Sequence, residues 1–282
     1  MEVVERIGDV RNEVKKARDK GNTIGFVPTM GFLHYGHLSL IKTSTSECGF
    51  TAVSIFVNPI QFDNPDDYKT YPRDINRDIE LLKKEKVNLV FVPSIEEMYK
   101  EKAATYVEVE GLSDVLEGRF RPDHFKGVCT VVCKLFNIVQ PDKAYFGWKD
   151  AQQLIIIKKM VKDLDIPVEV IGCPTIREKD GLAASSRNIF IREEEREKAL
   201  SLYRALKKIE EMVLKENIKD TSVLLEEGKH IIKKYPDVEL QYLEIVEMEN
   251  LTPVEKIEGK VIALGAIKLP SVRLIDNIII NV

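Results

Sequence analysis

Two histidines, His34 and His37, stand three residues apart in the run P-T-M-G-F-L-H-Y-G-H that begins at Pro28. Ahead of them Ile24 to Val27 form a short apolar run that reads as a buried parallel strand. Pro28 has no N–H to give to a ladder, so the strand is expected to end near it. From about Gly36 the apolar spacing becomes helical, through Leu38, Leu40 and Ile41. The histidines therefore fall where a strand hands over to a helix N-terminus. There the unpaired N–H groups and the helix dipole favour an anion, most often a phosphate, and Gly36 lets the backbone come close to it. The plainer alternative is that both are polar loop residues that cap a helix.

Three further clusters have side chains suited to such an anion and its partner. Asn58-Pro59-Ile60-Gln61 offers two amides that can orient a polar substrate without charge. Phe146-Gly147-Trp148-Lys149-Asp150, followed by Gln152 and Gln153, places a lysine, a carboxylate and two amides at the start of a helix. An Asp in a first helical turn is favourable from the dipole alone, so Asp150 also reads as a cap. Gly181 to Asn188, G-L-A-A-S-S-R-N, sets two serines and an arginine on a turn, where hydroxyls and a guanidinium fork can wrap phosphates. Turns are rich in Ser and Asn, so that pattern alone is weak. Together the clusters supply a phosphate cradle, a ribose carboxylate and a cationic clamp. No Walker loop, G-x-G-x-x-G fingerprint or G-x-S-x-G elbow accompanies them. An in-line attack by a bound substrate on a nucleotide phosphate fits what is left.

The totals agree. The 282 residues suffice for one large or two ordinary domains, and 42 basic against 46 acidic side chains give a net charge of −4. A slightly acidic chain argues against a general nucleic-acid binder. Cys48, Cys129, Cys133 and Cys173 show no C-x-x-C pair or zinc spacing and read as ordinary buried thiols of a reducing cytosol. The N-terminus lacks the pattern of a signal peptide, and no apolar run approaches a membrane span. A soluble, cytoplasmic protein with no membrane partner is expected.

The elements that must position these residues follow in order. Residues 9–20 read as a helix, with Asp9 as N-cap and Gly21 just past its end. After strand 24–27 and a helix to Glu47 come strand 51–57, a polar loop with three prolines, helix 75–85 and strand 88–92. A loop that long is rare unless it serves a site. Strand 105–109, helix 128–139, strand 144–146, a helix through Met160 and strand 166–171 complete a first domain. Alternating strands and helices predict an α/β fold with a doubly wound parallel sheet, its ligands at the carboxyl ends of the strands. Beyond Pro174 the pattern changes to a polar loop over 176–188, a long charged helix over 192–216, a second helix to Lys234, and β runs at 239–247, 260–267 and 272–280. A small α+β domain is expected there, with the boundary dividing residues 1–175 from 176–282.

In sequence order, P-T-M-G-F-L-H-Y-G-H, N-P-I-Q-F, Y-P-R, F-K-G-V, F-G-W-K-D-A-Q-Q and D-G-L-A-A-S-S-R-N resemble the successive signatures of the pantothenate synthetase (pantoate–β-alanine ligase) family, over nearly the whole chain. H-x-G-H alone would indicate only the nucleotidylyltransferase superfamily. The resemblance implies a Rossmann-like fold with an H-x-G-H nucleotide site, and a second domain that carries the S-S-R-N clamp and covers the site. It implies a two-step ligation on the way to coenzyme A: pantoate and ATP give pantoyl adenylate and pyrophosphate, then β-alanine gives pantothenate and AMP. It assigns ATP to Pro28, Thr29, Met30, His34, His37, Gly147, Trp148, Lys149, Asp150, Ile176, Ala184, Ser185, Ser186 and Arg187, and pantoate to Gln61, Gln153 and Met30. His34, His37, Lys149 and Arg187 are the implied catalytic groups. Magnesium is implied with ATP, held by no assigned protein side chain, and a homodimer is implied as the assembly.

Two positions depart from the family pattern. Ala184 stands where a methionine is common, and Asp123 where the family has glycine in R-P-G-H-F. Asp123 is tolerated if its φ is positive, a region Asp visits more than most residues. Two other readings stay open at this point. A related adenylyl- or cytidylyltransferase would keep H-x-G-H without the paired glutamines. A non-catalytic nucleotide sensor would have no need of both Lys149 and Arg187.

Overall fold

A computed structural model describes residues 1–101 and 103–282. The chain divides into two compact units. The first holds residues 1–114, 118–148 and 156–174; the second holds 115–117, 149–155 and 175–282.

The first unit is built on a six-stranded parallel sheet. Its strands are β1 (Glu2–Val4), β2 (Ile24–Thr29), β3 (Phe50–Ile55), β4 (Leu89–Phe91), β5 (Lys143–Gly147) and β6 (Glu169–Cys173), in the order β1-β4-β3-β2-β5-β6. The long helices between them are α1 (Ile7–Asp19), α2 (Tyr35–Glu47), α4 (Ile75–Lys84), α7 (His124–Val139) and α8 (Ala151–Asp163), with short turns of helix at α3 (Pro65–Thr70), α5 (Ile95–Met98) and α6 (Glu117–Phe120). Strands buried on both faces read as continuous apolar runs, and β2, β3 and β4 do. The doubly wound parallel sheet expected from the alternation is what forms.

Strand order turns around between β2 and β5: from β2 the chain winds outward through β3 and β4, and from β5 it winds the other way to β6. In open α/β sheets the crevice beyond the carboxyl ends at such a reversal is where ligands bind. The loop that leaves β2 carries the histidines, and Gly147, the last residue of β5, leads into Trp148.

Several boundaries differ from the sequence expectation, each for a local reason. β2 continues through Pro28 to Thr29, paired with β3 by Pro28↔Ser54 and Thr29↔Ile55. Its ladder with β5 has ended by then, at Phe26↔Ala144, so the missing N–H of Pro28 faces no β5 partner. α1 begins at Ile7, which puts Asp9 in its first turn instead of at its cap, while Gly21 takes φ 78° just beyond its end. Residues 103–109 are no strand; Val107 N–H donates instead to Thr130 Oγ1 at 3.0 Å. The proline-rich loop folds α3 within it, with Asn64 as a cap that accepts the Asp66 N–H at 2.8 Å. α7 starts four residues early because Asp123 takes φ 60°, the left-handed value its place in the turn requires. Pro167 delays the last strand, so β6 begins at Glu169.

The second unit has a three-stranded antiparallel sheet, β7 (Glu239–Glu247), β8 (Lys260–Lys268) and β9 (Arg273–Asn281), with β8 in the centre. Its helices are α9 (Arg196–Ala199), α10 (Ser201–Leu214) and α11 (Thr221–Lys233). The expected helix over 192–216 is therefore interrupted, with a 3-10 turn over Glu193–Glu195 and a break at Leu200. Leu206 and Ile209 of α10, Leu224 of α11, and Ile245, Ala263 and Ile267 of the strands form one core.

Cys48, Cys129 and Cys173 are buried, Cys133 is half-buried, and all four are unpaired thiols. Burial raises each above the ordinary thiol range, Cys129 to about 12.

Candidate functional site

In the first unit the histidine turn is built by reciprocal capping. His34 is the N-cap of α2, and its Nδ1 accepts the Gly36 N–H at 3.1 Å; His37 Nδ1 accepts the His34 N–H at 3.4 Å. The two rings lie 4.1 Å apart, tilted by 43°. The capping alternative is thus realised, and it has a chemical consequence. A neutral imidazole that accepts at Nδ1 carries its proton on Nε2. Capping so holds both rings in the tautomer whose far nitrogen is a donor.

The approach to the turn is left-handed at two successive residues, Gly31 at φ 80° and Phe32 at φ 49°. Asp78, on α4, stabilises it: its carboxylate accepts the Phe32 N–H at 2.6 Å and the Leu33 N–H at 2.8 Å. Arg77 lies 5.1 Å over the Phe32 ring. A side chain at Gly31 would meet Ile55 at 2.9 Å and Asp78 at 3.1 Å, so glycine is required by space as well as by φ. Burial holds the Asp78 carboxyl above its ordinary range despite the two N–H donors. Thr29 is buried and used internally, donating to the Ser54 carbonyl at 2.7 Å and accepting from Gly31 N–H at 3.1 Å. Pro28 and Met30 are half-buried on either side of it.

Gln61 follows β3 on the 3-10 turn Pro59–Gln61 and is buried. Its Nε2 donates to Met30 Sδ at 2.9 Å, and its Oε1 accepts from Asn58 Nδ2 at 3.1 Å. Asn58 also donates to the Gly127 carbonyl at 3.1 Å and accepts from Tyr99 Oη at 2.8 Å. The sequence offered Asn58 as a second substrate amide; with those partners it orients Gln61 instead. Gly127 of α7 permits this packing, since a Cβ there would lie 2.4 Å from the Ile60 carbonyl oxygen. His124 Nδ1 adds a contact of 2.8 Å to the Gln61 carbonyl oxygen.

Gly147 ends β5 and Trp148 begins the turn Trp148–Asp150, both half-buried. In the second unit Lys149 Nζ bonds Asp150 Oδ1 at 3.1 Å. Gln152 is buried and spent on structure: its Oε1 accepts the Glu117 N–H at 3.0 Å and its Nε2 donates to the Val115 carbonyl at 2.8 Å. Glu117 in turn accepts from Arg273 Nη1 at 2.6 Å and Nη2 at 2.7 Å, and from Tyr242 Oη at 2.7 Å. Gln153, the next residue, is half-buried.

The segment expected as a loop over 176–188 is a tight hairpin followed by a turn. Ala184 N–H bonds the Ile176 carbonyl at 2.9 Å, and Arg177 bridges Ala183. Ser185 caps the 3-10 turn Ser186–Phe190 by accepting the Arg187 N–H at 3.2 Å. Ala184 and Ser186 are buried, Ser185 and Arg187 half-buried.

The sequence did not reveal Asp78, Glu117 with Arg273, or Arg177 with Asp276. One signal was present: Asp276 interrupts an apolar strand, R-L-I-D-N-I-I-I, which a charge does only with a partner. Among the described residues no group of three or more His, Cys, Asp or Glu clusters as a metal site, and no helix is long and apolar enough to cross a membrane.

The family model for pantoate–β-alanine ligase matches residues 2–279. This chain belongs to the pantoate–β-alanine ligase family. Among relatives named pantothenate synthetase, that of Pseudothermotoga lettingae is 52% identical over 281 residues, covering 100% of this chain and 99% of its own. That of Thermotoga petrophila is 51% identical and covered over 100% of both chains. The solved pantothenate synthetase of Thermus thermophilus superposes with a TM-score of 0.93 at 45% identity, covering 99% of each chain. The Francisella tularensis pantoate–β-alanine ligase, solved with β,γ ATP and β-alanine, gives a TM-score of 0.77 at 37% identity over 99% of this chain and 97% of its own. Membership of the ligase family agrees with the resemblance carried by the motifs.

Proposed function

We propose that this chain joins pantoate to β-alanine at the expense of ATP, through a pantoyl-adenylate intermediate. In the first step a pantoate carboxylate oxygen attacks the α-phosphorus of ATP and pyrophosphate leaves. In the second the β-alanine amine attacks the acyl carbon, AMP leaves with the bonding electron pair, and the amine gives up a proton. No protein nucleophile is needed.

The observation that carries this reading is the reciprocally capped histidine pair. Two imidazoles held as Nε2–H donors beside the N-terminus of α2 suit the negative charge that builds on phosphate oxygens during in-line displacement. Lys149 and Arg187, with Ser185 and Ser186, bind the leaving phosphates. Gly147, Trp148 and Asp150 meet the nucleoside, while Pro28, Thr29, Met30, Ile176 and Ala184 shape its surroundings. Gln61 and Gln153 bind pantoate, with Met30 beside Gln61. The relative solved with β,γ ATP and β-alanine supports ATP and β-alanine as two of the three substrates.

Magnesium enters as the MgATP complex; a small hard cation keeps phosphate oxygens and water as ligands and needs few protein donors. Residues 1–175 act on nucleotide and pantoate, and 176–282 supply the serine–arginine clamp. The enzyme works in the cytoplasm as a homodimer.

The test is isotope exchange. Labelled pyrophosphate should enter ATP when pantoate is present and β-alanine absent. Full ligase activity on adding β-alanine, without any such exchange, overturns the two-step route.

A further inference from the structure

The second unit's phosphate-binding residues hang from two neighbouring positions on one strand. Asp276 lies in β9 with its side chain 6% exposed. It accepts Arg177 Nη1 at 2.6 Å and Nη2 at 2.9 Å, and its Oδ1 also accepts the Asn277 N–H at 2.7 Å. Arg177 donates further to the carbonyls of Gly181 at 3.0 Å and Asn277 at 3.1 Å. Its guanidinium carbon stands 4.5 Å from the centre of the Tyr203 ring. Gly181, at φ 102°, presses against the same ring, where a Cβ would come within 2.0 Å. The adjacent Asn277 reaches elsewhere: its Nδ2 donates to the Lys149 carbonyl at 3.0 Å. One strand thus fixes the backbone of Lys149 with one residue and the hairpin leading to Ser185–Arg187 with the next.

A buried ion pair adds little stability over apolar residues of the same shape, because desolvation offsets the attraction. A two-point fork does fix direction, and a lysine cannot reproduce it. We propose that Arg177, Asp276 and Asn277 are positioning residues that set Lys149 and the Ser185–Arg187 turn in register for a single triphosphate. This rests on reading Lys149 and Arg187 as phosphate ligands, and it adds a reason for their alignment. None of the three positioning residues need touch ATP.

The experiment compares Asn277→Ala, Arg177→Lys, Lys149→Ala and a control, Thr221→Ala. Thr221 Oγ1 donates to the Val254 and Glu255 carbonyls in the same unit, so its loss is structural only. Each full-length variant is assayed by pantoate-dependent ATP–pyrophosphate exchange and by thermal unfolding. Asn277→Ala should raise the KM for ATP about three- to tenfold, the scale of one lost orienting hydrogen bond, with the KM for pantoate unchanged. Arg177→Lys should do the same or more, although the charge is kept. Thr221→Ala should lower the melting temperature and leave the KM for ATP alone. If Lys149→Ala loses exchange while Asn277→Ala keeps a normal KM for ATP, the positioning role is wrong and the phosphate reading stands. Asn277→Ala removes no buried charge, so it decides the question even if Arg177→Lys fails to fold. If Lys149→Ala exchanges normally, the phosphate reading fails and the positioning role falls with it.

Discussion

The two units hold their site residues in opposite ways. In the first, the side chains assigned to chemistry also hold the fold: His34 and His37 cap α2 through Nδ1, and Gln61 is bonded at both ends of its amide. In the second, two of the assigned residues are fixed by their backbones. Asn277 grips the Lys149 carbonyl, and Ser185 accepts the Arg187 N–H. Structure and chemistry share a side chain in the first unit, whereas for Lys149 and Arg187 they are divided between backbone and side chain. Mutations should therefore couple stability to turnover in the first unit and separate them in the second.

The largest expected effect sharpens this contrast directly. His37→Ala and Lys149→Ala should each slow pantoate-dependent exchange by about 10²–10³, the usual result of removing one donor to developing charge. Only the histidine variant should also melt early, by the roughly 0.5–2 kcal/mol of a lost helix cap. Equal melting temperatures, measured by calorimetry, would break the comparison.

His34 allows a finer division. Asparagine can place an acceptor near Nδ1 and glutamine a donor near Nε2. His34→Asn should keep the cap and the melting temperature but lose exchange, while His34→Gln should do the reverse in part. If both variants lose stability and activity together, the ring is needed as a unit.

Asp78→Asn tests the support behind the turn. Burial holds the Asp78 carboxyl above its ordinary 3.8, so the folded chain binds that proton more tightly than the unfolded one. That contribution is fully present below 3.8 and is lost as pH rises through the higher native value. The variant should lack this slope in urea titrations across the acid range. It also turns an amide nitrogen toward the Phe32 or Leu33 N–H, costing about 1–3 kcal/mol. An unchanged pH slope would mean that Asp78 titrates alike in both states.

The smallest effect concerns Gln61. Gln61→Ala should raise the KM for pantoate by the equivalent of about 0.5–1.5 kcal/mol and leave ATP binding nearly alone. Equal weakening of both ligands in calorimetry would remove Gln61 from the pantoate site.

What the sequence could and could not tell follows from range. The sheet was legible because doubly covered strands are apolar runs between helical spacings, and the histidine turn because its punctuation is local. Val107, Glu108, Val109 and Glu110 alternate as a strand should, yet among the described residues no strand pairs with them; pairing is not written in one segment. β1 is three residues long, too short to show a period. The residues that orient the sites lie further apart still. Asp78 reaches back more than forty positions to the histidine turn, Arg273 meets Glu117 across 156 residues, and Asp276 meets Arg177 across 99. A charge in an apolar strand announces a partner without naming it. Gln152 and Gln153 show the same limit at close quarters, since adjacent identical residues differ only in which direction the helix turns them.

The four thiols, each held above the ordinary range by burial, keep little thiolate at neutral pH, and thiolate is the reactive form. The native chain is therefore a quiet background for maleimide chemistry. Ile189 is 56% exposed and two residues past Arg187. An Ile189→Cys protein would take a single environment-sensitive dye there, and its fluorescence would follow nucleotide arrival in real time.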